Sequence, residues 1–385
     1  MSRSTPAPTA SPAAAGARSD GFSELLSGFR DKLDRALAEW IEAKRRAVAV
    51  ESAGTTEAAA MLELIDGVAS LTRHGGKRLR PALVYYTYRA CGGRSDAAAL
   101  PLALATELLH TYLLIHDDIM DHAEVRRGQP AAHVRFREAH RAHGWRGDAR
   151  DFGASVGILL GDLAHTWAVE LFAQALVDAP REAAELNRCF SAMCQEVIGG
   201  QYLELLVALR GGTAEQAGAE ELLSVLRLKS GRYTAERPIQ LGAILAGAPA
   251  ERRAALTRYG GAVGEAFQLQ DDLLGMFGDA ETLGKPVGAD LTEGKFTFLV
   301  YHALAAATPA DRQAIEAAFG RPDLSGEEIA RVQRILETTG ARSRVAEMID
   351  SRLAVAADAL AGLDLADSGR TFFRGLLDYL REREQ

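Results

Sequence analysis

Two pairs of aspartates, each embedded in an apolar run, are the residues of this sequence best suited to chemistry. The first pair lies in Leu108-Leu109-His110-Thr111-Tyr112-Leu113-Leu114-Ile115-His116-Asp117-Asp118-Ile119-Met120-Asp121. This run reads as helix, and Asp117 and Asp121, four apart, then share one face. Two carboxylates on one face repel each other, and a divalent cation is the natural offset. Oxygen ligands select Mg²⁺, Mn²⁺ or Ca²⁺ over zinc. Mg²⁺ takes one or two carboxylates and completes its shell with water and substrate phosphates. His110, seven residues before Asp117, falls near the same face of an ideal helix. A solvated acidic helix end is the bland alternative, and the apolar approach argues against it.

The second pair stands in Phe267-Gln268-Leu269-Gln270-Asp271-Asp272-Leu273-Leu274-Gly275. Gln268 is three before Asp271 and four before Asp272, on roughly their face. Asp279 follows Gly278, past the expected helix end. Opposed on two helices of a bundle, the two acid pairs would hold several cations around one polyphosphate.

Cations suited to phosphate accompany them. Gly75-Gly76-Lys77-Arg78-Leu79-Arg80-Pro81 puts three at a loop-to-helix start, where free N–H groups also face anions. Arg126-Arg127-Gly128 follows the first acids, and arginine forks match phosphate oxygens. Lys229-Ser230, Lys285 and Lys295 add further basic positions, the last two in a Gly-punctuated stretch after the second acids. An ordinary solvated surface explains any one of these groups. Jointly they describe a diphosphate site with more than one phosphate pocket.

Helices must position these groups. Phe22, Leu25, Leu26, Phe29, Leu33, Leu37, Trp40 and Ile41 recur at steps of three and four, as do Val345, Met348, Ile349, Leu353, Ala356, Leu360 and Leu363. Gly and Pro clusters at 75–76, 92–93, 128–130, 211–212, 247–249, 284–286 and 320–322 read as connections, and the polar segment 140–151 as a loop or helix interruption. No linker divides the chain, so the expectation is one all-α domain over 21–385. The first 20 residues, rich in Ala, Pro, Ser and Thr, read as a disordered tail, with a transit peptide as the alternative.

Composition sets limits. With 48% hydrophobic and 25% charged residues, the chain can bury a sizeable core. A net charge of −8 argues against a general nucleic-acid binder, which needs a basic face. No run of eighteen apolar residues appears, so no membrane span is expected. Cys91, Cys189 and Cys194 lack metal-ligand spacing, and a reduced, cytoplasmic setting is the default.

These segments resemble the trans-isoprenyl diphosphate synthase (polyprenyl synthetase) family, from about Phe22 to the C-terminus. Gly75 to Pro81 looks like its first basic motif. Asp117 to Asp121 with Arg126 to Pro130 looks like its first aspartate-rich motif, and Phe267 to Asp272 like its second. Gly161-Asp162, Gly200-Gln201, Lys229-Ser230 and Gly284-Lys285-Pro286 match further family positions. The resemblance implies a helical bundle around a deep central cavity, working as a homodimer with two or three Mg²⁺ per site. It implies Asp117, Asp121 and Asp271 as Mg²⁺ ligands, with Asp118 and Asp272 beside them. Lys77, Arg80, His110 and Arg127 would bind isopentenyl diphosphate. Arg126, Lys229, Ser230, Gln268, Lys285 and Lys295 would bind the allylic diphosphate.

Some positions depart from the family pattern. Gly275 replaces the third aspartate of the second motif. Ala123 and Ala289 stand where aspartate is frequent, Glu204 where aspartate is usual, and Phe296 where arginine is common. In the family, a bulky residue four or five positions before the first aspartate stops chain growth; here these positions hold Leu113 and Tyr112. One aromatic without an insertion resembles enzymes making the C20 product, geranylgeranyl diphosphate, with C15 and C25 as alternatives. An ideal helix places Leu113 rather than Tyr112 nearer the Asp117 face. A class I terpene cyclase would need an Asn/Asp, Ser/Thr, Glu metal motif that Asp271 to Gly275 does not supply. A non-catalytic subunit remains the reading that Gly275 keeps open.

Overall fold

Apolar residues at helical spacing run through almost the whole chain and set its architecture. The computed structural model describes residues 12–51, 54–73, 75–210, 218–278 and 287–382. Among these, the only strands are β1 (Val125–Arg126) and β2 (Gln129–Pro130), an antiparallel pair turning at Arg127-Gly128. The fold is otherwise helical, as expected. The first helix, α1 (Pro12–Glu51), begins inside the stretch expected as a tail. Its stripe of Phe22, Phe29, Leu33, Leu37 and Ile41 is buried.

After α1 come α2 (Thr56–Arg73), α3 (Leu79–Ala90), α4 (Asp96–Met120), α5 (Ala132–His143), α6 (Ala149–Asp178) and α7 (Ala183–Leu209). Next, α8 (Ala219–Val225) runs without a break into a π-helix (Leu226–Glu236) and on into α9 (Arg237–Leu245). The long α10 (Ala250–Phe277) and the one-turn α11 (Ala289–Thr292) follow. Then come α12 (Phe298–Ala306), α13 (Pro309–Ala318), α14 (Gly326–Thr338), α15 (Ala341–Leu360) and α16 (Asp367–Glu382).

Two helices carry the acids, and each is fixed locally. Ser95 caps α4, its hydroxyl accepting from the Ala98 N–H at 3.2 Å, and Asp96 favours the same helix start. The apolar body of α4 lies along α6. Both are long and apolar enough to cross a membrane on length and composition, with hydropathy 1.5 and 1.3, yet 61% and 50% of those windows are buried in the fold. Helix α10 packs against the π-helix and α15. Its Tyr259 hydroxyl donates to the Phe373 carbonyl at 2.8 Å, and Gln270 donates to the Leu380 carbonyl, so α16 is pinned to it at two points.

Arg78, within the first basic motif, borders the central cavity but commits its side chain to the interior. Its side chain is 2% exposed. Nε donates to Asp34 Oδ1 at 2.9 Å, while the other nitrogens reach Glu107 and the Thr72 carbonyl. It thereby ties α1, α2 and α4 together just before α3. Removing one partner of a buried ion pair strands the other charge. Arg78→Met should therefore cost about 3–5 kcal/mol of unfolding free energy. Urea denaturation measures this, and a loss below about 1 kcal/mol would show that Glu107 finds another partner.

Candidate active site

Helices α4, α7 and α10 and the π-helix enclose a cavity of about 1070 Å³. That exceeds the roughly 300–1,000 Å³ usual for one small ligand. Asp117 lines one wall and Asp271 and Asp272 another, so the two acid runs, distant in sequence, face one space. Lysines link them. Lys229 Nζ pairs with Glu204 and lies 3.6 Å from Asp117 Oδ1. Lys295 Nζ lies 3.1 Å from Asp121 Oδ2, 2.6 Å from Glu293 and 4.0 Å from Asp290. Burial works against both ammonium groups, but the surrounding carboxylates outweigh it. Lys229 is held above its ordinary value and Lys295 well above.

The second basic set surrounds His110. Arg80 donates to Thr234 Oγ1 at 2.8 Å, and its guanidinium lies 4.6 Å from the centre of the Tyr233 ring. Arg80 Nη1 is 3.4 Å from His110 Nε2, and the Tyr233 hydroxyl is 3.0 Å from His110 Nδ1. Arginine only donates, so this arrangement assigns the His110 proton to Nδ1. Burial and the Arg80 charge hold the imidazole well below its ordinary value, keeping it neutral. Arg127 donates to the Gly75 carbonyl at 2.8 Å, and Lys77 lies over the Tyr379 ring at 5.7 Å. Tyr379 of α16 thus brings the C-terminal helix to the cavity wall.

The cavity brings together Lys77, Arg80, His110, Tyr112, Leu113, Asp117, Arg126, Arg127, Lys229, Ser230, Gln268, Asp271, Asp272 and Lys295. Asp121 caps α4 and joins the group through Lys295. Lys285 and Asp279 lie outside the described residues. Asp118, expected beside the ligand Asp117, lies next to it in the chain with its side chain inside the protein. One residue advances a helix by about 100°, so Asp118 turns away from Asp117 into the interior. It is 1% exposed and accepts from Arg126 Nε at 2.8 Å. Arg126, expected on the allylic diphosphate, is correspondingly committed to Asp118, though it still lines the cavity. Gln268 donates to Asp272 Oδ1 at 2.8 Å. Burial, then the Asp290 charge, push the Asp272 carboxyl well above its ordinary value.

Sequence reasoning missed Tyr233, Glu293, Asp290 and Tyr379. Their contacts depend on the π-helix, α11 and α16 meeting the cavity, and only the position of Tyr233, four after Lys229, hinted at this. Glu204, noted as a departure, partners Lys229. Both oxygen-only acid rows suit hard cations. Among the described residues no three His, Cys, Asp or Glu side chains already converge as a closed metal cage.

The chain belongs to the polyprenyl synthetase family, whose pattern it matches over residues 63–338. It is 34% identical over 322 residues to a geranylgeranyl diphosphate synthase of Methanosarcina mazei, covering 84% of this chain and 90% of that one. A geranylfarnesyl diphosphate synthase of Aeropyrum pernix is 33% identical over 317 residues, covering 81% and 92%. Among solved structures, a geranylgeranyl pyrophosphate synthase from Corynebacterium glutamicum, complexed with isoprenyl diphosphate and magnesium, superimposes with a TM-score of 0.85. It shares 33% identity and covers 93% of this chain and 99% of that one.

Gly200 sets the height of Lys229. A Cβ at residue 200 would lie 2.3 Å from the Lys229 backbone nitrogen, so α7 touches the π-helix there. Glu204, one turn on, then meets the lysine side chain. In an open helix, Gly→Ala would gain about 1 kcal/mol. Here Gly200→Ala should instead lower the melting temperature and reduce turnover about ten-fold or more by displacing Lys229. A raised melting temperature with unchanged turnover would refute the close approach.

Proposed function

We propose that the protein condenses isopentenyl diphosphate head to tail with an allylic diphosphate, giving an all-trans prenyl diphosphate of C20 length. One observation carries this reading: a single large cavity, lined by both acid rows, holds two basic sets with different partners, one around Arg80 and His110 and one of lysines beside the α4 acids. Two diphosphates need two such sets.

In this reading Lys77, Arg80 and Arg127 hold the isopentenyl diphosphate, with neutral His110 donating no net charge. Lys229, Lys295 and Gln268 orient the allylic diphosphate, and Arg126 supports that wall through Asp118. Asp117, Asp121 and Asp271 would hold Mg²⁺, at two or three positions, which when bound supplies Lewis-acid stabilisation of the leaving diphosphate. The lysines add preorganised positive charge at the same oxygens as the allylic C–O bond breaks. The isopentenyl double bond, held alongside, attacks the allylic carbon. A proton then leaves the isopentenyl unit, with the departed diphosphate as acceptor. Apolar walls and Tyr379 exclude water from the cation.

Tyr112 supports the product length. It lines the cavity, with its ring 4.8 Å from His116 and 5.0 Å from His165, so the aromatic is braced from α4 and α6. Leu113 lines the same wall. A homodimer is part of the same reading. Ile198 and Tyr202 of α7 line the cavity yet are 52% and 63% exposed, which suits closure by a second copy.

Purified protein given Mg²⁺, isopentenyl diphosphate and an allylic primer should release C20 diphosphate on chromatography; cyclised hydrocarbon, or no turnover, would sink the assignment. Tyr112→Ala should lengthen the product by at least one isoprene unit. Unchanged product size would remove Tyr112 as the stop.

A further inference from the structure

Arg80 differs from the other cations of the cavity in what holds it. Lys229 and Lys295 stand against carboxylates, and Arg78 is buried between Asp34 and Glu107. Arg80 makes no ion pair with any described residue. Its partners are neutral: Thr234 Oγ1 at 2.8 Å, His110 Nε2 at 3.4 Å and the Tyr233 ring at 4.6 Å. Its Nε is buried without a hydrogen-bond partner among the described residues. A buried cation without a counter-ion is unfavourable, and an entering anion offsets that. The guanidinium is thus oriented without being neutralised. We infer that Thr234 is a positioning residue for isopentenyl diphosphate: from behind the cavity wall, its hydroxyl fixes the Arg80 guanidinium that receives this substrate. This rests on the condensing activity proposed above and assigns Thr234 to one of its two diphosphates.

The direction of control follows from what is fixed. Arg80, second in α3, carries a long side chain with many rotamers. Thr234 is short, 2% exposed and set in a helix braced from two sides. On one side Glu196 of α7 accepts from Arg232 Nη1 at 2.8 Å and from Arg237 Nε and Nη2 at 2.8 and 2.6 Å, clamping both flanks of Thr234. On the other side α10 reaches the π-helix backbone. A Cβ at residue 264 would stand 2.1 Å from the Gly231 carbonyl oxygen. Thr234 therefore stays where the backbone puts it, and Arg80 conforms to it. Without the hydroxyl, Arg80 loses its shortest hydrogen bond and keeps the His110 contact and the Tyr233 ring face. A carboxylate in its place would hold Arg80 more strongly but cancel the charge a diphosphate needs. Lys229 and Lys295 have their own partners, none of them Thr234, so the effect is confined to one substrate.

Steady-state kinetics with each substrate varied separately test this. Thr234→Val keeps the branched shape and removes the hydroxyl. It should raise KM for isopentenyl diphosphate about ten-fold, while KM for the allylic primer and kcat at saturation stay within about two-fold. Thr234→Ser restores the hydroxyl and should bring that KM back to within about three-fold of wild type. Melting temperatures accompany each variant. If Thr234→Val does not fold, Thr234→Ala, which adds no apolar group beside the guanidinium, is read by the same criteria. An unchanged KM for isopentenyl diphosphate in a folded variant without the hydroxyl overturns the inference and leaves the proposed function standing. So does a parallel rise in both KM values, or a turnover loss that saturating isopentenyl diphosphate does not restore. A Thr234→Ser variant as impaired as Thr234→Val, or failure of both Val and Ala variants to fold, marks a structural role and overturns it too. A wild-type protein that does not condense the two substrates overturns both readings.

Discussion

Carboxylates crowded along two facing helices repel each other, and the cavity depends on how that repulsion is met. Charges inside a low-dielectric wall interact far more strongly than at a wet surface. Lys229 and Lys295 stand among the acids and meet them in part. Both lysines come from segments outside the acid-bearing helices, so the π-helix and the stretch after α11 are tied to the walls by charge. The same balance makes the site selective. A ligand that enters must bring negative charge for the lysines and positive charge for the aspartates, which a metal-bound diphosphate does.

Around this network the fold separates tasks among neighbouring residues of the same motif. Lys77 and Arg80 face the cavity, while Arg78 between them is buried among Asp34, Glu107 and the Thr72 carbonyl. Asp117 faces the cavity, while Asp118 holds Arg126. Each motif is thus half binding surface and half anchor. The anchor sets the angle at which the binding residues project, which is why short dense motifs occur where loops meet helices.

Much of this was legible in the sequence. Helical spacing located α1 and α15, and Gly and Pro clusters located most connections, because both follow from local backbone preferences. The acid pairs were legible because charge interrupting an apolar helix is costly without a purpose. Tyr233 and Asp290 were not legible. Tyr233 reaches His110 only because α4 and the π-helix are neighbours in space. Asp290 reaches Gly275 only because a backbone hydrogen bond folds α11 onto α10. Neither proximity leaves a local signature.

The π-helix carries a consequence of its own. Its wider turn lets the consecutive residues Tyr233 and Thr234 both serve Arg80, while Lys229 and Ser230 reach the cavity as well. Such segments arise when a chain accommodates an extra residue without unwinding the helices on either side. The spacing between Lys229 and Tyr233 is then a matter of chain length more than of side-chain identity. Evolutionary change at this wall should accordingly be constrained against gaps more severely than against exchanges of one residue type for another.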